Sequence, residues 1–481
     1  MRAKHVASYL RSVGTRNGVE WPIESSGQAS LRNRDYEPAG PQCGSRAEVW
    51  PLAATTPGVK SMGTLVVYTW GWIPVDRQWS NDLTVIDKNN PSPEWIESLR
   101  KRYRCETEVD RVLTRKLRRR SGPAYVPISL EAMCASLRSL LDTELKSPFE
   151  IRDPRWLTGG ASKLQVAFTL DWHDPVAGRT STPMVIRMEP AESIVETSRL
   201  REFQIIKALH GVLPVPPAYW IDAEGVHFPY PAIVYGFAEG VTKPSGSLTN
   251  VSGLGTNFGA ELRKAIAPQF IDHLARLHTW DWRQANLSSL DKPVAGTTQA
   301  IEWHLNWWAR VWEEDSNRDI PLMHLAAGWL RENMPVVEKV SLIHSDYRAG
   351  NFLFTEHDQR ITAWLDWELG HLGDYHEDVA YTTMPFVSHT SEDGGTLLAS
   401  GMMPAEQLYE AYERASGLTL NPKTIEYYQI FHAYRSALIV VACGYRPTRN
   451  GKTHQDLLLN WIMGMGYPAM GTLRDRLERV A

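Results

Sequence analysis

Residues 344–366 constrain this chain more than any other stretch. His344-Ser345-Asp346-Tyr347-Arg348-Ala349-Gly350-Asn351 is an HxDxxxxN pattern, and Asp366 follows within Trp364-Leu365-Asp366-Trp367-Glu368. Between them, Asn351–Phe354 and Ile361–Leu365 are short, apolar and β-favouring, so a hairpin is predicted ahead of Asp366. The residue types fit phosphoryl transfer. An Asp on a rigid loop can accept a hydroxyl proton or orient that hydroxyl for attack. An Asn a few residues later can turn its carbonyl oxygen to Mg²⁺, and a second carboxylate can bind metal ions bridging phosphates. Hard oxygen donors are what Mg²⁺ prefers. His, Asp and Asn fall into such patterns by chance in long chains, since Asp and Asn are common in loops. The placement of Asp366 after a hairpin makes chance a poor explanation.

Periodicity organises the rest. At 481 residues the chain predicts two to four units. Residues 1–90 carry breaker clusters and little periodicity, and read as a poorly ordered or non-homologous leader. Arg2, Lys4, Arg11 and Arg16, with no acid before residue 20, faintly resemble a transit peptide, though a disordered or wrongly translated leader is preferred; Met62 is an alternative start. Residues 91–148 read as a helical extension, with Ser92-Pro93 opening one helix and Ser129 another. Pro91–Arg120 has ten Lys/Arg against five Asp/Glu, and the Arg115–Arg120 run is expected to be a solvated helix face. Residues 149–240 change period: Leu164–Leu170, Met184–Met188 and Ala232–Phe237 read as strands, interrupted by one helix over Ile194–Leu209. Residues 241–481 read as mainly helical, with helices over Phe270–His278, Ile301–Glu314, Pro321–Asn333, Glu406–Ala415, Thr424–Val441 and Gln455–Met463.

The catalytic-loop pattern resembles the aminoglycoside phosphotransferase family, within the protein-kinase-like superfold. The match lies at His344, Asp346, Asn351 and Asp366, and Gly373-Asp374-Tyr375-His376-Glu377-Asp378-Val379-Ala380 is similar to the family's GDPxxDLA-type segment. The family usually has Gly where Ser345 stands and often Pro where Tyr375 stands; neither departure removes a catalytic functional group. The resemblance runs from about Phe149 to the C-terminal region. It is strongest to the subgroup that includes kinase domains fused to some acyl-CoA dehydrogenases, and to stand-alone actinobacterial relatives.

The resemblance implies an α+β, bilobal kinase-like fold: a small antiparallel-sheet lobe, a mainly helical lobe and a helical N-terminal extension. It implies ATP and Mg²⁺ as cofactors, with Asp346 as base or orienter and Asn351 and Asp366 as metal ligands; Arg348, two residues past Asp346, reads as support for the transferred phosphate or equally as a structural ion pair. Gly159, Gly160 and Ser162 resemble the nucleotide-binding GGxS loop, whose glycines let backbone N–H groups approach phosphates. Arg187 stands where kinases place the phosphate-binding lysine, with Glu202 as its helix partner. Glu196 is the alternative partner, and reads better as a surface acid. Gly236, Phe237 and Ala238 resemble the hinge whose backbone meets adenine. Asp378 is expected to anchor the catalytic loop, and His278 to pack.

Composition narrows the function classes. Lys plus Arg is 51 and Asp plus Glu 55, a net charge of −4 that argues against nucleic-acid binding by bulk charge. Cys43, Cys105, Cys134 and Cys443 stand far apart, with neither a CxxC pair nor a disulfide framework, as in a reducing, cytoplasmic compartment. No apolar run approaches the ~18 residues of a membrane span. Tryptophan (19) outnumbers phenylalanine (11), and Trp303, Trp307, Trp308 and Trp312 share one predicted helix, as core or as a wall for the acceptor. The expected activity is phosphorylation of a small-molecule hydroxyl, with a hydroxyacyl compound or its CoA ester as the favoured acceptor. The alternatives are a catalytically silent nucleotide- or partner-binding protein and an aminoglycoside kinase. A metal hydrolase built on His344, Asp346, Asp366 and His371 ranks low without HExxH, and a serine hydrolase lower without GxSxG.

Overall fold

Alternation along the strands builds the small lobe. In a computed structural model, residues 86–157, 163–246 and 254–480 are described. The leader to residue 85 and Gly159, Gly160 and Ser162 lie outside them. Strands β1 (Glu150–Trp156), β2 (Leu164–Asp174), β3 (Gly178–Met188), β4 (Ala218–Asp222) and β5 (Ala232–Gly236) form an antiparallel sheet in the order β1-β2-β3-β5-β4. Successive side chains point to opposite faces. Val166, Phe168, Ile186, Met188 and Val234 therefore pack on one face, against Met133, Leu137, Leu140 and Leu141. Ala167, Val185 and Ile233 pack on the other face, with Ile205 and Ile206. Arg187 shares the parity of Val185, so the sheet itself aims it at the second face. β1 and β4 were not expected from periodicity. Both are edge strands, where one neighbour suffices, and β1 carries Pro154, which an edge tolerates.

Among the described residues, three helices precede the sheet: α1 (Pro93–Arg102), α2 (Thr107–Arg119) and α3 (Leu130–Glu144). Ser92 and Ser129 cap α1 and α3 by accepting from the N–H groups of Trp95 and Ala132. Helix α4 (Arg199–Leu209) starts five residues later than expected, at the cap Ser198. The 189–198 connection before it is largely buried instead of helical.

The helical lobe contains α5 (Ala260–Thr279), α6 (Gln299–Asp315), α7 (Pro321–Glu332), α8 (His376–Thr382), α9 (Ala405–Ser416), α10 (Pro422–Leu438), α11 (Tyr445–Arg449), α12 (Asp456–Met463) and α13 (Gly466–Val480). Helix α10 runs on into a π-helical turn, Ile439–Cys443. Four short strands sit beside the site: β6 (Val340–Ile343) pairs with β9 (His371–Asp374), and β7 (Phe352–Thr355) with β8 (Arg360–Trp364). Helix α13 was not foreseen, because Gly466, Pro468 and Gly471 in its first half mask its periodicity. Among the described residues no helix is long and apolar enough to cross a membrane, and Cys105, Cys134 and Cys443 are free thiols.

Three expectations about charge and aromatics are settled by burial. The basic run of α2 is only partly a solvated face: Arg118 is exposed, but Lys116 and Arg120 are 5% and 3% exposed. Lys116 lies 2.7 Å from Glu314 and 3.1 Å from Asp315, and Arg120 lies 2.8 Å from Glu192 and 2.5 Å from Asp315. A helix this charged is buried because α6 and the connection before α4 present acids to it. Glu196 is not a surface acid either; it is 7% exposed and 3.8 Å from Arg115. Trp307, Trp308 and Trp312 are core residues and Trp303 is half-buried, so the stripe on α6 is packing.

Removing one partner from a buried ion network leaves an uncompensated charge. Asp315→Ala should therefore cost about 3–5 kcal/mol in urea unfolding, whereas Lys264→Ala, which deletes only the exposed pair with Glu261, should cost less than about 1 kcal/mol. Burial, with Glu189 adding to it, raises the Glu196 carboxyl to about 7 from an ordinary value of 4.5. The folded state thus holds a proton that the unfolded chain releases, and stability falls as pH rises from 4.5 through about 7. Glu196→Gln should raise the melting temperature more at pH 8 than at pH 5, and an equal gain at both would contradict this.

Candidate active site

The loop between β6 and β7 is held from beneath by one carboxylate. Asp378, in the first turn of α8, accepts from the backbone N–H of His344 and of Ser345, both at 2.7 Å. His278 of α5 reaches the same carboxylate at 3.2 Å, so α5, α8 and the loop meet at one buried anion. Ser345 adopts φ +67°, a left-handed turn that lifts the next residue, Asp346, out of the β6 direction.

Asp346 is oriented by its own loop. Arg348 Nε donates to its Oδ1 at 3.0 Å, and Asn351 Nδ2 donates to its Oδ2 at 2.6 Å and to its backbone oxygen at 2.8 Å. The hairpin then brings Asp366 back. Leu365 N donates to Asn351 O at 2.8 Å, and His344 Nε2 lies 3.0 Å from Leu365 O. Asp366 itself has φ +64°, which turns its side chain off the strand line. Its Oδ1 meets Arg187 Nη2 at 2.5 Å, and Arg187 Nη1 lies 3.3 Å from Glu202 of α4. Asp346, Arg348, Asn351, Asp366, Arg187 and Glu202 are thus linked in space although 164 positions separate Glu202 from Asp366 (366 minus 202). Glu196 does not share the contact with Arg187; it faces Arg115.

A wider ion network surrounds Arg187, and sequence reasoning passed it over. Lys163 lies 3.2 Å from Glu189 and 3.1 Å from Glu368, and Arg199 lies 2.9 Å from Glu189 and 3.0 Å from Glu368. Arg199 also pairs with Glu202. Burial opposes ionisation of Glu368, yet Lys163, Arg187 and Arg199 hold its carboxyl well below the usual carboxylate range. The only sequence signals were adjacency: Lys163 follows the Gly-Gly-Ala-Ser run and Glu368 stands two residues after Asp366.

The hinge segment lies at the end of β5. A Cβ on Gly236 would sit 2.8 Å from Pro217 Cγ, so the close approach of that proline requires glycine. Gly236 N donates to Pro217 O and Phe237 N to Pro183 O, each at 2.9 Å, so both amides are committed within the lobe. Phe237 is 44% exposed, with Ala238 following it. The residues of the metal-hydrolase alternative do not converge. His344 bonds a backbone oxygen of Leu365, while His371 faces Glu377, not Asp346 or Asp366.

Residues 158–422 match the model of the phosphotransferase enzyme family. An Arabidopsis thaliana protein named a probable acyl-CoA dehydrogenase is 27% identical over 280 residues, covering 55% of this chain and 33% of its own length. Acyl-CoA dehydrogenase family member 11 of Homo sapiens is 28% identical over 252 residues, covering 49% of this chain and 30% of its own. The chain therefore spans about a third of these relatives. The fold is shared with the crystal structure of a candidate aminoglycoside phosphotransferase from Ralstonia eutropha, at TM-score 0.51 and 21% identity over 73% of this chain and 99% of that one. With the family match spanning more than half of its 481 residues, the chain belongs to the phosphotransferase enzyme family.

Proposed function

We propose that this chain transfers the γ-phosphoryl group of ATP to a hydroxyl of a small acyl compound, either a hydroxy acid or its CoA ester. The observation that carries the reading is the continuous contact from Asp346 through Asn351 to the Asp366 hairpin, and from Asp366 through Arg187 to Glu202. Asp346 is the group placed to orient the acceptor hydroxyl and take its proton. Two donors, Arg348 and Asn351, hold its carboxylate in one rotamer, which is the positioning that phosphoryl transfer needs.

The donor set fits Mg²⁺. Asn351 commits Nδ2 to Asp346, which leaves Oδ1 as its ligand atom, and Asp366 adds a carboxylate; both are hard oxygen donors. The bound ion would neutralise phosphate charge as the γ-phosphoryl group departs. Arg187 would clamp the phosphates with its fork, held there by Glu202, and the Gly159, Gly160 and Ser162 loop would cover them. The adenine would meet the Phe237 carbonyl and the Ala238 N–H, because Gly236 N and Phe237 N are already used.

Charge supports the acyl acceptor class. Arg348 places a half-buried guanidinium against Asp346, where a polycationic aminoglycoside would bring like charge. A carboxylate or a phosphate-bearing CoA ester would meet that cation favourably. The relatives named for acyl-CoA dehydrogenation support the acyl class.

The test is release of ADP with hydroxyacyl-CoA esters, free hydroxy acids, choline, ethanolamine, sugars and aminoglycosides. Acyl acceptors should turn over, and Asp346→Asn should lower that turnover by about 10²-fold or more. Undiminished turnover in Asp346→Asn would remove the mechanism, and aminoglycoside turnover without acyl turnover would remove the acceptor class. Arg187→Lys keeps the charge and loses the fork, so ATP should bind about tenfold more weakly in a nucleotide titration.

A further inference from the structure

Ser345 sits immediately before Asp346 at φ +67°, a conformation that glycine adopts freely and serine does not. Three buried contacts surround it. Its Oγ donates to Glu377 Oε1 at 2.7 Å, Arg435 Nη1 donates to the same Oγ at 2.6 Å, and Arg435 Nη2 donates to its backbone oxygen at 2.7 Å. Arg435 lies over the Tyr381 ring at 5.0 Å and the Trp308 ring at 5.6 Å, which fixes the plane of its fork. Ser345, Glu377 and Arg435 are 0%, 1% and 2% exposed, so water does not compete for these bonds.

Glu377 is itself held by two histidines. Its Oε2 lies 3.2 Å from His304 Nδ1 on α6 and 3.2 Å from His371 Nε2 on β9. The ligand-type atoms of His304, His371 and Glu377 lie within 4.8 Å of one another, the proximity a cation site needs. The ring protons decide against that use. Trp308 Nε1–H donates to His304 Nε2 at 2.9 Å, so the neutral ring carries its proton on Nδ1, the nitrogen that faces Glu377. Burial lowers His304 to about 4, in keeping with a neutral ring. His371 has an acceptor at each nitrogen, Leu369 O at 3.1 Å and Glu377 at 3.2 Å, so both nitrogens carry protons. Burial works against that charge, but the Glu377 carboxylate holds the ring above its ordinary value. Both rings therefore offer Glu377 an N–H, where a metal would require a lone pair.

We propose that Glu377 and Arg435 are positioning residues that act through Ser345, holding it in the left-handed turn that aims Asp346, and that His304 and His371 fix Glu377 for this task. Helices α6, α8 and α10 and strand β9 thereby converge on a single loop residue. The proposal rests on Asp346 being the reacting carboxylate, and its test separates the two.

The test compares Glu377→Gln in the natural chain and in the Ser345→Gly background. Glycine needs no support for the turn, so the two changes should not add. In the natural chain, Glu377→Gln should speed amide hydrogen exchange across residues 340–352 and lower kcat by about tenfold with the KM for ATP little changed. In the Ser345→Gly background the same change should leave both readouts nearly where Ser345→Gly put them. Equal effects in the two backgrounds, or none in either, would overturn the proposal. Arg435→Lys, which loses the fork, should reproduce the pattern if Glu377→Gln does not fold, and failure to do so would count equally against it. Hydrogen exchange needs no acceptor, so it judges the proposal even if no acyl compound is phosphorylated. One equivalent of zinc in the purified protein would overturn the proton assignment.

Discussion

Buried charge has to be partnered, and that requirement ties this molecule together. Lys116, Arg120, Arg187, Arg199, Arg201 and Arg310 are each at most 6% exposed, and each is ion-paired. Dehydrating a cation costs several kcal/mol unless an anion meets it, and here each of these cations has at least one anion from a segment far away in sequence. Helix α2 shows the consequence. Glu106 pairs with Arg201 at 2.6 Å and Glu108 binds Ser198, so one end of the helix grips the start of α4. Asp110, Lys116 and Arg120 pair with Arg310, Asp315 and Glu192, so the same helix grips α6 as well. Helix α4 carries Glu202 and α6 carries His304. The extension ahead of the sheet is therefore part of the frame that sets the cleft, not an appendage.

Within that frame, two strained residues shape the candidate site. Ser345 and Asp366 both have positive φ without being glycine. Such conformations persist only where the surroundings over-determine them. At Ser345 the surroundings are Asp378 beneath the backbone and Glu377 with Arg435 at the side chain and carbonyl. At Asp366 they are the hairpin bond from Leu365 N to Asn351 O and the ion pair to Arg187. One turn aims the carboxylate that would meet the acceptor, and the other aims the one that would meet the metal.

The strongly periodic elements were readable before any coordinates. The strands over Leu164–Leu170 and Met184–Met188 are short and rich in apolar or β-favouring residues, and the caps Ser92 and Ser129 announce their helices. Edge strands β1 and β4 were not readable, because half-exposed strands need not be apolar. The direction of α2 was misread for a related reason. A basic run looks solvated unless its acidic partners are known, and Glu192, Glu314 and Asp315 lie 72 to 199 positions away. Glu196 looked like a surface acid because an isolated Glu in a polar stretch says nothing about what covers it.

The sequence by itself determined the spacing of the candidate site groups: Asp346, Asn351 and Asp366 lie within 21 positions, and a hairpin of that length has few ways to close. It also determined the parity that turns Arg187 to the cleft side of its strand. Only the tertiary structure decided which acid would meet that arginine, and that Lys163, Arg199, Glu189 and Glu368 would join the same network. It alone showed that Ser345 needs support and that His304, His371, Glu377 and Arg435 supply it. The physical reason is distance along the chain. Local spacing constrains residues joined by a few rigid peptide units, whereas pairing between buried charges depends on where separate helices come to rest.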